Sequence, residues 1–307
     1  PTTVIPRVGN SEINMILPKF EFHEPATIAE ACELLSRRRG KARPLAGGTD
    51  LLVNMKKRVL NPKHLISLGR IPELSRLERV NGMLTLGACV TIAEIAASDL
   101  VSKAASAIGQ SARALGTPLI RNLATIGGNI GSARPAADLP PSLMVYDAEL
   151  VLAGPAGERC MPIAEFFKGP GLTAAKEDEL ITAVTIEVPR GYSGAGYLNL
   201  GVRKAQDCNI VNVASFLELD EKAEHIRTAR IALGSVGPTP LRSSKAEKVL
   251  VGQKPDERLF EQAAQAAMRD CTPILDFRGS ADYRRAMVAV LTRRTLDMAM
   301  AEARSRK

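Results

Sequence analysis

Two glycine-rich stretches, centred on Gly47-Gly48 and Gly127-Gly128 and separated by about eighty residues, constrain this chain more than any other feature. The first reads Pro44-Leu45-Ala46-Gly47-Gly48-Thr49-Asp50-Leu51 and the second Thr125-Ile126-Gly127-Gly128-Asn129-Ile130-Gly131-Ser132. Each follows an apolar run with the character of a strand: Ala42 to Ala46, and Leu119 to Ile126 with an Arg121-Asn122 interruption. Paired glycines allow positive φ and remove side chains that would hold a ligand off the main chain. Successive exposed N–H groups then form a concavity suited to an anion. Thr49, Thr125 and Ser132 add hydroxyls. A lone Gly-Gly is as often a plain turn. Two of similar chemistry, each behind a strand-like run, predict a clamp that grips one diphosphate from both sides.

The two commonest nucleotide loops are absent. No Gly-Lys-Ser/Thr of a P-loop occurs, and no G-x-G-x-x-G string of a Rossmann turn. What remains is a dinucleotide site of another kind, assembled from two separate loops. With no Trp, 4 Tyr and 7 Phe, the chain lacks the aromatics for a base-stacking nucleic-acid surface. Its net charge of +8 comes from dispersed runs (Arg37 to Arg39, Lys56 to Arg58, Arg284-Arg285, Arg293-Arg294 and the Arg304 to Lys307 tail), expected to be solvated faces. The five cysteines, Cys32, Cys89, Cys160, Cys208 and Cys271, are odd in number and form no C-x-x-C, so neither a disulfide framework nor a zinc or iron–sulfur ligand set is expected. No signal peptide and no run of eighteen apolar residues is seen, which predicts a cytoplasmic protein or a soluble subunit.

Residues 1–17 carry no periodic pattern, and Lys19 to His23 alternates as a short strand would. Thr27 to Glu30 is a capping box opening a helix that buries Ile28, Cys32 and Leu35 and ends before Gly40. Ala42 to Ala46, His64 to Leu68 and Met83 to Ala88 read as strands of a small parallel unit, with a short helix from Leu51 to Lys57 between the first two. A second capping box, Thr91 to Glu94, starts alanine-rich helices that run to about Leu115. Asp138 opens a further helix, either as its N-cap or with a carboxylate offered to a ligand hydroxyl. Glu149 to Leu152, Gly157 to Met161 and Leu180 to Val188 suggest antiparallel sheet. Pro189 to Gly194 is rich in turn formers and marks a boundary. Beyond it, Tyr197 to Arg203, Val211 to Leu219 and His225 to Leu233 read as a meander. Arg242 to Val251, Pro255 to Arg269 and Asp282 to Arg304 read as helices. His23, His64 and His225 stand apart in sequence and are expected to be structural.

The segments Ala46-Gly47-Gly48-Thr49-Asp50, Thr125-Ile126-Gly127-Gly128-Asn129 and Ser132-Ala133-Arg134-Pro135-Ala136-Ala137-Asp138-Leu139 together resemble the flavin-binding subunit of the molybdenum hydroxylases, the group of xanthine dehydrogenase, aerobic carbon monoxide dehydrogenase and 4-hydroxybenzoyl-CoA reductase. The resemblance runs from about Lys19 to Arg294 and includes Tyr283-Arg284-Arg285. It implies an α+β chain: a two-subdomain vanillyl-alcohol-oxidase/PCMH-type FAD-binding domain over residues 1–189, then a three-stranded antiparallel sheet with a helical cluster over 190–307. It places FAD on Leu45, Ala46, Gly47, Gly48, Thr49, Asp50 and Leu51. Thr125, Ile126, Gly127, Gly128 and Asn129 close over the diphosphate and ribityl region, with Ser132 and Asp138 nearby. Leu115 and Leu172 fall at apolar contacts, and Tyr197 beside the isoalloxazine. Two departures stand out. Many members have Lys where this chain has Asn199, and Asn129 to Asp138 lacks the cysteine-rich insertion that holds an extra [4Fe-4S] cluster, so no cluster is expected here. The implied role is electron transfer between the [2Fe-2S] clusters of a small partner subunit and an external acceptor. A large partner subunit would carry molybdopterin, and the assembly would be a dimer of heterotrimers, with no nucleic acid and no transmembrane segment. A self-sufficient flavin oxidase of the same fold and a non-catalytic basic interaction protein are the competing classes.

Overall fold

A computed structural model describes residues 16–203 and 207–306. Nearly all of the patternless N-terminal stretch lies outside the described residues. Glu21–His23, His64–Ser67 and Ala42–Leu45 form a parallel sheet with His64–Ser67 in the centre. Helix Ile28–Arg37 covers one face and buries Ala31, Cys32 and Leu35 beside Ile66 and Leu68. Thr27 caps its start as the sequence predicts, Oγ1 accepting from Glu30 N at 3.2 Å, but the Glu30 carboxylate accepts from Ala26 N at 2.8 Å rather than from Thr27 N, so the capping box is not closed on the cap residue.

Met83–Gly87 does not join this parallel unit. Asn81 and Gly82 both adopt positive φ (51° and 82°), the backbone of a tight hairpin, and fold Met83–Gly87 back antiparallel onto Leu77–Val80. These two strands enter a five-stranded antiparallel sheet, in the order Leu77–Val80, Met83–Gly87, Leu180–Glu187, Glu149–Gly154, Gly157–Pro162. Leu180, Thr182, Val184 and Ile186 alternate inward along the central strand. Helices Ile92–Ala97, Asp99–Ala104, Ser106–Ala114 and Leu139–Val145 complete the main core. The Thr91–Glu94 capping box is complete.

Glu179 locks the turn that precedes the central strand. It accepts from Arg159 Nε and Nη2, both at 2.8 Å, and from Lys176 N at 2.8 Å. The Arg159 hydrogen bonds hold its carboxyl down at about 2, against an ordinary 4.5. A depressed folded-state pKa contributes stability that is complete above the unfolded value and lost as pH falls through the folded one. Glu179→Gln is therefore expected to cost about 1–2 kcal/mol at neutral pH. It should also flatten the stability loss between pH 4.5 and 2, as followed by denaturation across that range.

The run from Leu119 to Ile126 is not a strand. Thr117 caps a helical turn, Pro118–Arg121, with Pro at its first position, and a second short helix, Ile126–Gly131, follows. One bridge, Thr91 to Thr125, is all the β-pairing this stretch makes.

The rest of the chain builds a four-stranded antiparallel sheet, Ser193–Leu200, Val211–Leu219, Ile226–Gly234 and the short Leu241–Arg242, with helices Ser244–Leu250, Glu257–Asp270 and Ala281–Ser305. The sheet is buried on both faces. Val211, Val213, Leu217, Ile231 and Leu233 pack toward the helices. Ala195, Tyr197, Ala214, Phe216 and Ala232 join the main core of the first unit. Ser193 and Gly194, read from sequence as linker, belong to the strand. A Cβ on Gly194 would stand 2.2 Å from Ala299 O, and one on Gly196 2.7 Å from Thr295 O, so the helix Ala281–Ser305 lies directly on the face of the strand that these two glycines leave bare. Arg284, expected on a solvated face, is 1% exposed. It donates to Ile210 O at 3.1 Å, Ser235 O at 3.2 Å and Asp276 Oδ1 at 2.7 Å. Among the described residues, no helix is long and apolar enough to cross a membrane.

Candidate functional site

The first glycine loop leaves the parallel sheet at Leu45 and turns through Gly48, whose φ of +72° demands glycine, into the helix Leu51–Lys56. Among the described residues, the main-chain N–H groups of Gly47, Gly48, Thr49 and Asp50 find no acceptor in the protein. Four donors without a protein acceptor in one turn are an arrangement able to hold an anion. Asp50 makes no side-chain cap bond; its carboxylate meets Arg134 Nε at 2.8 Å. A Cβ on Gly47 would stand 1.8 Å from Leu123 O and 3.1 Å from Ala124 Cα. Gly47 therefore packs against the main chain just before the second loop, and glycine is required there by the protein's own backbone.

The second loop is built differently from the sequence expectation. Ile126 N donates to Val90 O at 3.1 Å, Gly127 N to Ala88 O at 2.9 Å, and Asn129 N to Thr125 O at 2.9 Å. Thr125 Oγ1 accepts from Gly128 N at 3.1 Å. All four amides are spent inside the protein, so this loop is no amide nest, and the Thr125 hydroxyl is committed as an N-cap. Ile126 is fully buried in the core, and a Cβ on Gly127 would stand 2.7 Å from that of Ala88. Gly128 is exposed, and a Cβ there would meet only Thr125 Oγ1, at 3.0 Å. Asn129 Oδ1 is buried without a partner, in a protein where such groups are the exception. Ser132 Oγ donates to Asn129 O at 3.0 Å.

Residues 133–138 are the hub. Ala133 adopts a φ of +44°, and its carbonyl accepts from Gly171 N at 2.9 Å, bringing the Phe167–Thr173 hairpin and the exposed Leu172 to the second loop. Arg134 reaches the first loop. Pro135 O accepts from Ser235 N at 2.8 Å, Ala136 O from Asn209 Nδ2 at 3.1 Å, and Ala137 O from Asn212 Nδ2 at 3.0 Å. Both glycine loops and the second sheet are thus tied to six residues. Arg134, Asn209, Asn212 and Gln110 are the partners that sequence patterning does not single out as acting together, because polar residues on separate elements leave no periodic signal.

Asp138 does not act as an N-cap, one of the two roles expected of it. It makes no cap bond, and its Oδ1 accepts from Tyr197 Oη at 3.1 Å and Asn209 Nδ2 at 2.8 Å. Burial pushes its carboxyl up, with the Asn209 and Tyr197 hydrogen bonds opposing. Tyr197 is 3% exposed, and its N–H donates to Gln110 Oε1 at 2.7 Å. Its ring is packed in the main core, and burial raises its hydroxyl well above the usual value. Leu115 likewise packs in the main core. A raised folded-state pKa means that ionised Asp138 costs stability as pH rises through the unfolded value. Asp138→Asn, which keeps an acceptor, is expected to hold or raise the melting temperature at pH 7. Asp138→Ala strands two buried donors and should cost about 1–3 kcal/mol; calorimetry of the pair checks this.

The strip of free amides from Gly47 to Asp50 suits an anionic group, the unpartnered Asn129 oxygen suits a hydroxyl donor, and the comparisons give the class. Residues 18–190 match the family described as the FAD binding domain in molybdopterin dehydrogenase, and residues 197–299 the CO dehydrogenase flavoprotein C-terminal domain. The chain belongs to this flavoprotein family of the molybdenum-dependent oxidoreductases, and its first domain is an FAD-binding domain. It is 34% identical over 288 residues to the carbon monoxide dehydrogenase medium chain of Hydrogenophaga pseudoflava, covering 94% of this chain and 99% of that one. It is 28% identical over 284 residues to the putative xanthine dehydrogenase FAD-binding subunit of Escherichia coli K12, covering 92% and 96%. A solved structure of the Hydrogenophaga pseudoflava carbon monoxide dehydrogenase superposes with a TM-score of 0.90 at 33% identity, over 94% of this chain and 99% of that one. Quinoline 2-oxidoreductase of Pseudomonas putida 86 superposes with a TM-score of 0.87 at 28% identity, over the same shares.

Proposed function

We propose that this chain is the electron-transfer subunit of a molybdenum hydroxylase, holding FAD between a small [2Fe-2S] partner subunit and an external acceptor, beside a large molybdopterin subunit. One observation carries the reading: four amides without a protein acceptor, from Gly47 to Asp50, lie in one turn of an FAD-binding domain, where Gly47 packs against Leu123 and Ala124 at the entry to the second glycine segment. These amides hold the pyrophosphate. Exposed Gly128 would leave room for the cofactor, and the unpartnered Asn129 Oδ1 would accept from one of its hydroxyls. Arg134 pairs with Asp50 and so offsets the carboxylate charge beside these amides. FAD when bound supplies one- and two-electron redox chemistry, and the chain's task is to fix its position and exclude water.

Partners are supported by a surface feature. Ile274, Leu275 and Phe277 are 65%, 76% and 97% exposed in one short loop, and Val202 is 63% exposed. Clustered apolar side chains of this size mark contact surfaces. Native mass spectrometry of the purified assembly tests the proposal: a large and a small subunit should accompany this chain and its flavin. A lone flavoprotein that oxidises substrate with dioxygen would establish the oxidase instead. Phe277→Asp is expected to reduce recovery of the partners about tenfold, as hot-spot truncations do, at unchanged flavin content.

A further inference from the structure

The geometry points to a divalent transition-metal site formed by Glu21, His23 and His64 at the edge of the parallel sheet, outside the flavin site. The histidines are 41 residues apart in sequence, and the fold brings them together. Glu21 and His23 flank Phe22 on the edge strand, so both project to one face. His64 is the residue registered directly opposite Glu21 on the central strand. His23 Nε2 lies 3.2 Å from His64 Nδ1, His64 Nδ1 lies 3.3 Å from Glu21 Oε2, and His23 Nε2 lies 3.9 Å from the same oxygen.

In the plane of these three atoms, the point equidistant from them lies about 2.0 Å from each, the bond length of zinc to imidazole nitrogen and carboxylate oxygen. Two imidazoles and one carboxylate suit zinc or a neighbouring first-row divalent ion, and leave a fourth position open. The His64 side chain is 8% exposed and that of His23 23%, so two of the donors are held by packing, while the Glu21 side chain, 67% exposed, faces the route of entry. Among the described residues this is the one group of three or more His, Cys, Asp or Glu side chains whose ligand atoms converge in this way. An ion here staples the edge strand Glu21–His23 to the sheet centre.

The test uses the full chain, stripped with chelator and titrated with cobalt(II) and then zinc(II) chloride. The expected result is one cobalt per chain with d–d absorption of nitrogen and oxygen ligation, displaced by zinc, and a melting temperature raised by a few degrees. Glu21→Gln alters an exposed side chain and His23→Ala a half-buried one, so both variants keep the fold. Each should weaken the metal at least roughly tenfold, the loss that even outer-shell changes bring, at unchanged flavin content. Absence of binding, affinity equal in wild type and both variants, or a thiolate charge-transfer band from the exposed Cys160 or Cys208 would overturn the proposal.

Discussion

Gly47→Ala is expected to break the fold around the site, whereas Gly128→Val should leave the fold intact and remove the flavin. From sequence the two glycines look equivalent, and both substitutions would be expected to block a ligand. The structure separates them. A methyl on residue 47 would stand 1.8 Å from Leu123 O and 2.6 Å from its carbonyl carbon, both main-chain atoms that no rotamer change can move. Overpacking against main chain costs about 3 kcal/mol or more, so Gly47→Ala should lower the denaturation midpoint and lose FAD together. A side chain on residue 128 meets Thr125 Oγ1 at 3.0 Å and otherwise enters open space. Its stability cost should stay within about 1 kcal/mol, while the flavin-to-protein absorbance ratio falls at least tenfold. If Gly128→Val retains stoichiometric FAD, the helix start at Ile126–Gly131 does not border the cofactor.

The second large effect is predicted at the buried ion pair of the second unit, and its asymmetry is the test. Asp276→Ala leaves the Arg284 guanidinium, 1% exposed, with only the carbonyls of Ile210 and Ser235. An uncompensated buried charge costs about 3–5 kcal/mol. Arg284→Met removes the charge itself. Asp276, nearer the surface, keeps its bonds from Arg278 Nη2 at 2.7 Å and Arg278 N at 2.9 Å. The loss should therefore be smaller, about 1–3 kcal/mol, from the unpaired carbonyls. Urea denaturation of both variants decides it, and equal losses would show that the pair's desolvation does not dominate. Arg278 and Arg284 hold the Asp276 carboxyl well below the usual carboxylate range. This contribution is complete above the ordinary pKa of 3.8 and fades as pH falls below it. The apolar loop Ile274–Phe277 is anchored through the same carboxylate, so Asp276→Ala should also weaken partner recovery.

Local signals were legible. Thr27 with Glu30 and Thr91 with Glu94 start helices where they stand, because a cap is decided within four residues. The meander after Pro189 shows as three strand-like runs between Tyr197 and Leu233, and the glycine pairs mark where the main chain needs room. Two features misled. The apolar run before the second glycine pair looks extended, yet Thr117 and Pro118 start a helical turn there. Met83–Gly87 looks like a parallel strand until the positive φ values at Asn81 and Gly82 turn it back. In the site, the glycine positions were legible but their reasons were not. Gly47 and Gly127 serve contacts with residues 123 and 88, and contact between distant segments leaves no mark on either.

The sequence alone determined the family, the two loops and the helix caps, since each rests on residues adjacent in the chain. Tertiary structure alone decided which amides stay free for an anion, why Asp138 and Tyr197 are buried together, and that His23 and His64 meet. Hydrogen bonds to Ala88 and Val90 take the second loop's donors, while those of Gly47 to Asp50 are left without a partner. A donor's availability depends on every acceptor that folding brings near it, and that inventory exists only in three dimensions.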